Sequence, residues 1–323
     1  MTSLLFFEER SLSRRDHRVT KGQKFPIFFY IWYSLRRSVV LFLLVNVAFF
    51  TKAQPNIDIV SFSSQYFVST YSDSTKNHFA TQDNFFSVFL PVKFGAGHVF
   101  TIRLNAEELL VSRQFSTGYS LYSFSLPVGL QLQSKNQKWK YTGIIVPKLN
   151  SDLADNLDYD FQIGGIGLVT RVFNEKLQVR GGLYYNSDYW GNFFMPLFGV
   201  DWKVNDRFRM YGTLPGNYRF EFTLGKKIYT GIGFRSAQRS FRLQKLYNDD
   251  FVRVKENQLK FFIEGFVFKK ILIGFDVYRS INYNLISYDY FQTKTATSRP
   301  ILFSKTRDNF GATINLAYRI RTD

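Results

Sequence analysis

The final stretch of the chain, residues 309–320, alternates between apolar and polar or small side chains along its whole length. The apolar positions are Phe310, Ala312, Ile314, Leu316, Tyr318 and Ile320. The intervening positions are Asn309, Gly311, Thr313, Asn315, Ala317 and Arg319. Successive side chains of a β-strand point to opposite faces, so this period of two predicts a strand with one apolar and one polar face. Such a strand fits a soluble sheet that covers a core, and it also fits a membrane barrel.

The same alternation recurs from residue 57 onward, and this favours the barrel. In one example, Tyr218, Phe220 and Phe222 alternate with Arg219 and Glu221. In a soluble sandwich the polar face would be the outside and would not favour glycine, whereas a hydrated lumen accepts both glycine and charge. Because lipid tolerates no unpaired sheet edge, we predict an all-β transmembrane antiparallel barrel in which the last strand pairs with the first.

Turn signals set the number of strands. Tight turns are predicted at residues 94–97, 134–137, 174–175, 205–206, 225–227 and 268–270. Longer connections are predicted near residues 70–83, 105–119, 149–158, 186–192, 238–257 and 284–308, with a short one at 214–217. Glycine, asparagine and aspartate at most of the tight turns are expected to supply positive φ angles. These thirteen connections predict 14 strands, with 12 to 16 left open, and an even number is usual for single-chain barrels.

Four prolines, Pro91, Pro127, Pro147 and Pro196, fall inside the predicted strands. Proline removes a donor from the hydrogen-bond ladder and belongs at edges or bulges. Since a closed barrel has no edge, each proline predicts either a bulge or a shorter span.

The composition excludes several other classes of protein. Aromatic residues make up 19% of the 323 residues, with 37 Phe and 20 Tyr, which favours strands and membrane interfaces. Mean hydropathy is −0.16, and outside the N-terminal region no run approaches the roughly 20 apolar residues of a spanning helix. The absence of cysteine rules out disulfides, thiolate catalysis and cysteine metal sites.

The N-terminal region predicts export. Residues 35–53 combine Arg36 and Arg37 with an apolar core and a small residue, Ala53, before the expected cleavage site, which is typical of a signal peptide. A membrane anchor is the alternative. Residues 1–34 are interpreted as a dispensable or non-native extension, or else as a long n-region, and residues 54–323 as the barrel domain. Net charge is +17 for the whole chain. Removing residues 1–53, with nine bases and three acids, leaves 33 bases and 22 acids, or +11.

Charged residues on the polar faces are candidates for lining the lumen. The basic candidates are Lys138, Lys140, Arg180, Arg207, Arg209, Arg219, Arg235, Lys260 and Arg319, and the acidic ones are Asp201, Glu221, Glu264 and Asp276. Rings of Arg and Lys favour anions in a pore. Alternatively, the cations pair with the acids and plug the lumen, or they lie near the rims against anionic headgroups.

Other kinds of chemistry have weaker signals. His78 has Ser72, Asp73 and Ser74 nearby, as a lipid-hydrolysing barrel would need, but this is also ordinary loop composition. A loop containing Asp152, Asp155, Asp158 and Asp160 offers oxygen ligands for Ca²⁺ without the spacing of an EF-hand. We therefore expect no catalytic residue, metal or cofactor. Nucleic-acid binding is disfavoured because the aromatic residues lie mostly on the apolar faces, away from the bases.

Gly311, Ile314, Leu316, Tyr318 and Ile320 resemble the C-terminal signal read by the outer-membrane assembly machinery, although the chain ends in Arg-Thr-Asp instead of an aromatic residue. With the cleavage region at residues 52–54, the chain resembles an outer-membrane β-barrel family of Gram-negative bacteria, of the domain-of-unknown-function type. The resemblance implies contact with outer-membrane lipid, lipopolysaccharide and the assembly machinery, and it carries no active-site residues. Two functions are expected: a passive channel for small anionic or amphipathic solutes, or a non-conducting barrel that presents surface loops or serves envelope assembly.

Overall fold

The computed structural model describes residues 56–70, 78–113, 119–154, 160–243, 251–288, 300–305 and 309–321. The predicted extension (1–34) and signal peptide (35–53) lie outside the described residues, as do Ser72, Asp73, Ser74, Asp155 and Asp158. Within the described part of the chain, no helix has the length and apolar character needed to cross a membrane.

The described residues form sixteen strands. The first eight are β1 (Asn56–Thr70), β2 (His78–Phe94), β3 (His98–Arg113), β4 (Tyr119–Ser125), β5 (Val128–Gln133), β6 (Trp139–Ser151), β7 (Phe161–Val172) and β8 (Leu177–Asp188). The others are β9 (Gly191–Lys203), β10 (Phe208–Leu214), β11 (Asn217–Thr223), β12 (Ile228–Arg242), β13 (Phe251–Phe266), β14 (Ile271–Tyr288), β15 (Pro300–Lys305) and β16 (Asn309–Arg321).

These strands close into one antiparallel barrel with 14 strand positions in its wall, as predicted. We call each of these positions a stave. β16 pairs with β1 from Asn56↔Arg321 to Phe67↔Gly311, and β13 pairs with β14, so the sheet has no free end. β4 and β5 are the two halves of one stave, because both pair with β3 and with β6. β15 pairs with β14 alone and lies in the long connection before β16.

The two faces of the strands lie as the alternation predicts. On β16, Phe310 is 75% exposed and Ile314 is 58% exposed, whereas Thr313 and Arg319, on the opposite face, are buried. Every stave carries at least one exposed large apolar side chain. The apolar faces therefore point away from the barrel and do not pack against a second sheet, which excludes the sandwich.

The predicted tight turns all connect neighbouring staves, but their chemistry differs from the prediction. Among the positive φ angles, only those of Gly95, Gly97 and Gln137 fall in these turns. At two others the asparagine side chain accepts backbone hydrogen bonds instead: Asn174 Oδ1 from the amides of residues 176 and 177 (both 2.9 Å), and Asn205 Oδ1 from those of 207 and 208 (2.9 and 2.8 Å). Asparagine stabilises these turns as an acceptor.

All four prolines lie where a ladder is interrupted. Pro127 and Pro147 flank the break between β4 and β5, where Leu126 N donates to Pro147 O (3.0 Å). Pro91 lies beyond the last β1–β2 pair, Val60↔Val88, and Pro196 lies beyond the end of the β9–β10 ladder. The closed barrel therefore contains local edges, and proline occupies them.

The staves differ greatly in length, which the sequence reasoning missed. β10 and β11 have 7 residues each, whereas β2, β13 and β14 have 17, 16 and 18. Much of the connections predicted near 70–83, 105–119, 238–257 and 284–308 is strand. The alternation fails in these places because inward side chains of the strand ends, such as Phe79, Leu109 and Val111, are apolar and buried.

The ends of β12 and β13 cover those faces by folding into the lumen. We call residues 236–242 of β12 and 251–257 of β13 the flap. One side of the flap carries Phe241, Val252 and Val254, which join an apolar cluster with inward side chains of β1–β4 and β14. The other side reaches the opposite wall, where Gln162 of β7 donates to Ser240 Oγ (3.1 Å) and Arg242 pairs with Ser151 of β6. The flap thus divides the loop-side half of the lumen in two.

Candidate functional site

On one side of the lumen, cations and carboxylates pair across neighbouring staves; we call this side the packed half. Arg319 of β16 donates to Asp58 of β1 (2.6 and 3.0 Å) and also pairs with Glu264 of β13, which in turn pairs with Arg219 of β11. Glu264 is 4% exposed and Arg319 is 7% exposed. The charge of a carboxylate between two guanidinium groups is fully compensated. The two arginines and two carboxylates of this group together carry no net charge.

Further pairs extend the network around the same half. They are Arg209–Asp201 (2.9 Å), Arg321–Glu221 (3.2 Å) and Lys260–Asp276 (3.6 Å). Tyr211 donates a hydrogen bond to Glu221 (2.9 Å) and Asn315 to Asp276 (3.1 Å). With Arg219, Arg319, Asp58 and Glu264, the set contains five cations and five carboxylates and has no net charge.

Closer to the flap, a second ionic group surrounds Arg239. Its guanidinium pairs with Asp83 (3.1 Å), Glu107 and Glu256 (3.8 Å), which belong to β2, β3 and β13. Beyond these residues the apolar cluster fills the space under the flap, where Phe241 and Leu121 are 0% exposed. The packed half is therefore closed towards the loop side by apolar packing. Below that packing the ion pairs surround a smaller cavity of about 370 Å³, whose lining includes Arg219, Glu264 and Arg319.

The predicted basic candidates divide into three groups. Arg209, Arg219, Lys260 and Arg319 belong to the ion pairs, whereas Lys138 and Arg207 lie exposed in turns outside the strands. Lys140 is buried and donates to Gln178 (3.4 Å), while Arg180 and Arg235 have no ion pair among the described residues. The predicted acidic candidates, Asp201, Glu221, Glu264 and Asp276, are all buried and paired.

On the other side of the flap the lumen is open; we call this side the open half. It contains a cavity of about 1000 Å³ between the inner faces of β6–β9 and the outer side of the flap. Its apolar lining comes from the barrel wall and consists of Ile144, Ile166, Leu168, Phe193, Met195 and Leu197. Ligand cavities of this size are commonly lined by apolar side chains with a few polar groups that fix orientation.

The polar groups of this cavity are mostly cationic. Arg103, Arg180, Arg253 and Lys255 line it, with Asp188 as the one carboxylate in the lining. Arg253 stacks on the Trp190 ring (4.3 Å) and donates to Gln238 (2.8 Å). Neither Arg103 nor Arg180 has an ion-pair partner in the described part of the chain, and Arg103 is exposed to the lumen. The lining of the open half thus has an excess of cations, whereas most cations of the packed half are paired with carboxylates.

A second cavity of about 480 Å³ continues towards the turn side, between β2, β3, β5 and β6. Arg103, Ile144, Ile166 and Tyr184 line both cavities and so lie at the boundary between them. Lys148 donates to the hydroxyl of Tyr184 (3.3 Å). The two cavities follow one another along the inner wall of the open half, from the flap towards the turns.

The remaining candidates stay separate from these cavities. His78 contacts the hydroxyl of Thr70 (3.1 Å) at the ends of β1 and β2, and His98 accepts a hydrogen bond from the amide of Gln133 (3.0 Å) at a turn. Asp160 lies 3.9 Å from Arg242 beneath the flap. Burial raises the pKa of the Asp160 carboxyl. No group of potential metal ligands occurs among the residues that the structure describes.

Several residues of the site were missed by sequence reasoning. Asp83, Glu107, Arg239, Arg253 and Lys255 fall in segments that were predicted to be connections. One available signal was residues 193–198, Phe-Phe-Met-Pro-Leu-Phe, which are apolar on both faces of the strand. A lumen-facing strand that is apolar on its inner face indicates an apolar cavity behind it.

A family model described as "Domain of unknown function (DUF6268)" matches residues 120–319, which is more than half of the chain. The chain belongs to the DUF6268 family. The match covers the staves from β4 to β16 and so includes the flap, most of the ion pairs and the open half except for its residues on β1–β3, such as Arg103. No curated protein matches the chain.

Solved barrels resemble the chain only distantly. An outer-membrane channel from Pseudomonas putida F1 has 9% identity and a TM-score of 0.45, covering 82% of this chain and 96% of its own. A deltaS2 mutant of the monoaromatic hydrocarbon channel TodX has 8% identity and a TM-score of 0.42, with coverages of 82% and 90%. The translocator domain of the autotransporter NalP from Neisseria meningitidis has 8% identity and a TM-score of 0.37, with coverages of 91% and 98%. Likenesses this distant do not assign a function to the DUF6268 chain.

Proposed function

We propose that this DUF6268 protein is an integral outer-membrane barrel. The support is its outer surface, where exposed apolar side chains such as Phe161 (68%), Phe194 (67%) and Phe310 (75%) occur all around the closed sheet. A soluble monomer rarely exposes more than a few hundred Å² of contiguous apolar surface, whereas a lipid-facing barrel requires an apolar belt. Heat-modifiable gel migration and a requirement for detergent test this assignment. Purified protein that stays monomeric in buffer alone would contradict it.

We further propose that the barrel binds small amphipathic anions in its open half and passes them across the membrane. The observation that carries this proposal is the 1000 Å³ cavity, in which apolar wall residues face Arg103 and Arg180, two cations without an ion-pair partner among the described residues. An apolar lining suits a hydrocarbon body, and unpaired guanidinium groups suit a carboxylate or phosphate. The predicted inward cations favour anions only where they remain unpaired, so the paired residues of the packed half have a structural role in this proposal.

The binding test uses dansyl-undecanoic acid and its methyl ester, which share the apolar body and differ in charge. We expect saturable binding with a rise in dansyl emission, and about tenfold tighter binding of the acid, equivalent to about 1.4 kcal/mol. Arg103→Ser combined with Arg180→Ser should remove the preference for the acid. Arg235→Ser, which changes a packed-half cation that forms no ion pair within the described part of the chain, is the matched control and should keep the preference. Absence of saturable binding would reject the proposal.

A non-conducting barrel is the second candidate, and the flap is the observation that favours it. The apolar cluster and the contacts from Ser240 and Arg242 to the opposite wall obstruct a straight path through the loop-side mouth. Uptake of the dansyl acid into proteoliposomes separates the two candidates. Binding without uptake would support a barrel that holds its ligand and does not conduct it.

A further inference from the structure

The barrel wall has a gap above the hairpin of β10 and β11. β10 pairs with β9 only up to Phe198, so residues 191–197 of β9 have a ladder partner only on the β8 side among the described residues. Across the gap, β11 pairs with β12 only up to Arg235, and residues 236–242 turn inward as part of the flap. The amide of Ser236 donates to Gly216 O (2.7 Å) and joins the flap to the hairpin tip. We call this gap the window.

The window has a closed frame. The hairpin tip is its lower edge, and β9 and the flap are its sides. At the top, Trp190 of the β8–β9 turn stacks on Arg253 of the flap (4.3 Å), and the rings of Tyr189 and Phe251 lie 6.1 Å apart. At the level of the hairpin, β9 and β12 are three strand spacings apart, which is about 14 Å. An opening of this width admits an alkyl chain with its headgroup.

The side of the window formed by β9 is apolar both inside and outside. Phe194 and Phe198 face outward and are 67% and 56% exposed. Phe193, Met195 and Leu197 face inward and line the cavity. Pro196 lies on the unpaired edge and removes one amide donor from it. An apolar molecule that passes from the lipid around this edge into the cavity contacts lipid first and apolar side chains afterwards, and it meets no charged surface on the way.

Polar contacts place the window near the loop-side boundary of the apolar belt. The rings of Tyr185 and Phe194 contact each other with centroids 4.9 Å apart, and the Tyr185 hydroxyl donates to Asn192 (3.0 Å). Tyrosine is typical of a membrane interface, where its ring lies in the apolar layer and its hydroxyl reaches water. Since short turns lie on the periplasmic side of such barrels, this boundary belongs to the outer leaflet.

We propose that the window is a lateral portal through which an amphipathic anion moves between the outer leaflet and the cavity. The anion keeps its body against lipid tails or against Phe193, Met195 and Leu197, and its headgroup meets the guanidinium groups of Arg253 and then Arg180. The flap blocks the direct route from the loop side, so the window is the way into the cavity from the membrane. This inference rests on the proposed function, because a portal needs a cavity that binds its cargo.

Cysteine labelling tests whether lipid reaches the window. The chain contains no cysteine, so single variants can carry a bimane label in proteoliposomes with acyl-brominated lipid. The label on Met195→Cys should be quenched as strongly as that on lipid-facing Phe198→Cys. Thr142→Cys, an inward position whose stave is paired on both sides, is the matched control and should not be quenched. A Met195 label that behaves like the Thr142 label would overturn the portal.

Narrowing the window tests its use. Ser236 lies opposite Asn257 on the side of the flap that faces the cavity, and Ser236→Trp should slow uptake of the dansyl acid from lipid by about tenfold while equilibrium binding in detergent is kept. Ala106→Trp, on the outward face of β3, is the control and should leave the rate unchanged. Normal binding with an unchanged uptake rate would reject the portal and leave the proposed function standing. Loss of saturable binding in the parent protein would instead reject the proposed function.

Discussion

The two halves of the lumen are built from similar strands and differ in what fills them. In the packed half, five carboxylates pair with five cations around a smaller cavity of about 370 Å³, and an apolar cluster fills the space beneath the flap. In the open half, apolar wall residues and arginines that form no ion pair with any described residue surround cavities of about 1000 and 480 Å³. Inward charge is therefore a poor indicator of a pore. The space left by the flap and the balance of charge distinguish the two halves.

The largest expected difference between the halves concerns Glu264. Glu264→Gln leaves Arg219 and Arg319 without their shared carboxylate, and breaking a buried ion pair in this way costs about 3–5 kcal/mol. Lys255→Gln removes an exposed cation from the open half and should leave stability unchanged. The midpoints of urea unfolding in detergent micelles, followed by gel migration, measure both. Equal midpoints for the two variants would contradict the division of the lumen.

A phenylalanine on each side of the flap region gives the next comparison. Phe241 is 0% exposed within the apolar cluster, and Phe241→Ala should cost about 3–4 kcal/mol through lost packing and the void that it leaves. Phe193 already faces a cavity, so Phe193→Ala creates little new void and should cost about 1 kcal/mol. The same unfolding measurement applies. A larger loss for Phe193→Ala would show that the open half is filled in solution.

Sequence reasoning succeeded where one face of a strand meets lipid and the other meets the lumen. The outward Ile314, Leu316 and Tyr318 of β16 follow a strict period of two, and together with turn residues such as Asn205 they were sufficient to predict the number of staves. The prediction failed at the strand ends of the packed half. Leu109 and Val111 are buried by the flap, so the inner face of β3 becomes apolar and the alternation is lost.

The partner of a charged side chain was also beyond the reach of the sequence. Arg219 and Arg180 occupy equivalent inward positions in the pattern, yet one pairs with Glu264 and the other has no carboxylate partner in the described residues. The difference follows from which staves the barrel brings together and from where the flap lies. Neither property has a local signal in the chain.

The contacts of the flap with the open half should be weaker than those with the packed half. Trp190→Ala removes the stacking on Arg253, and a cation–π contact of this kind contributes about 1 kcal/mol. We expect a small loss of stability together with faster uptake of the dansyl acid, because the top of the window opens. Trp202→Ala, on the outer surface near the turns, is the control and should leave uptake unchanged. Unaltered uptake in Trp190→Ala would show that the stacking does not limit the window.

The smallest effect is expected from adding one methylene group to each half. Val254 is 0% exposed in the apolar cluster, and Val254→Leu should destabilise because extra volume in a packed core forces its neighbours to move. Val146 lines the second cavity of the open half, where Val146→Leu has room and should stabilise by up to about 0.5 kcal/mol, part of the value of a buried methylene. The two changes are chemically identical, so opposite shifts of the unfolding midpoint would come from the space around each residue. Destabilisation by both would mean that the open half is as tightly packed as the other, and the cavity would then have no room for a ligand.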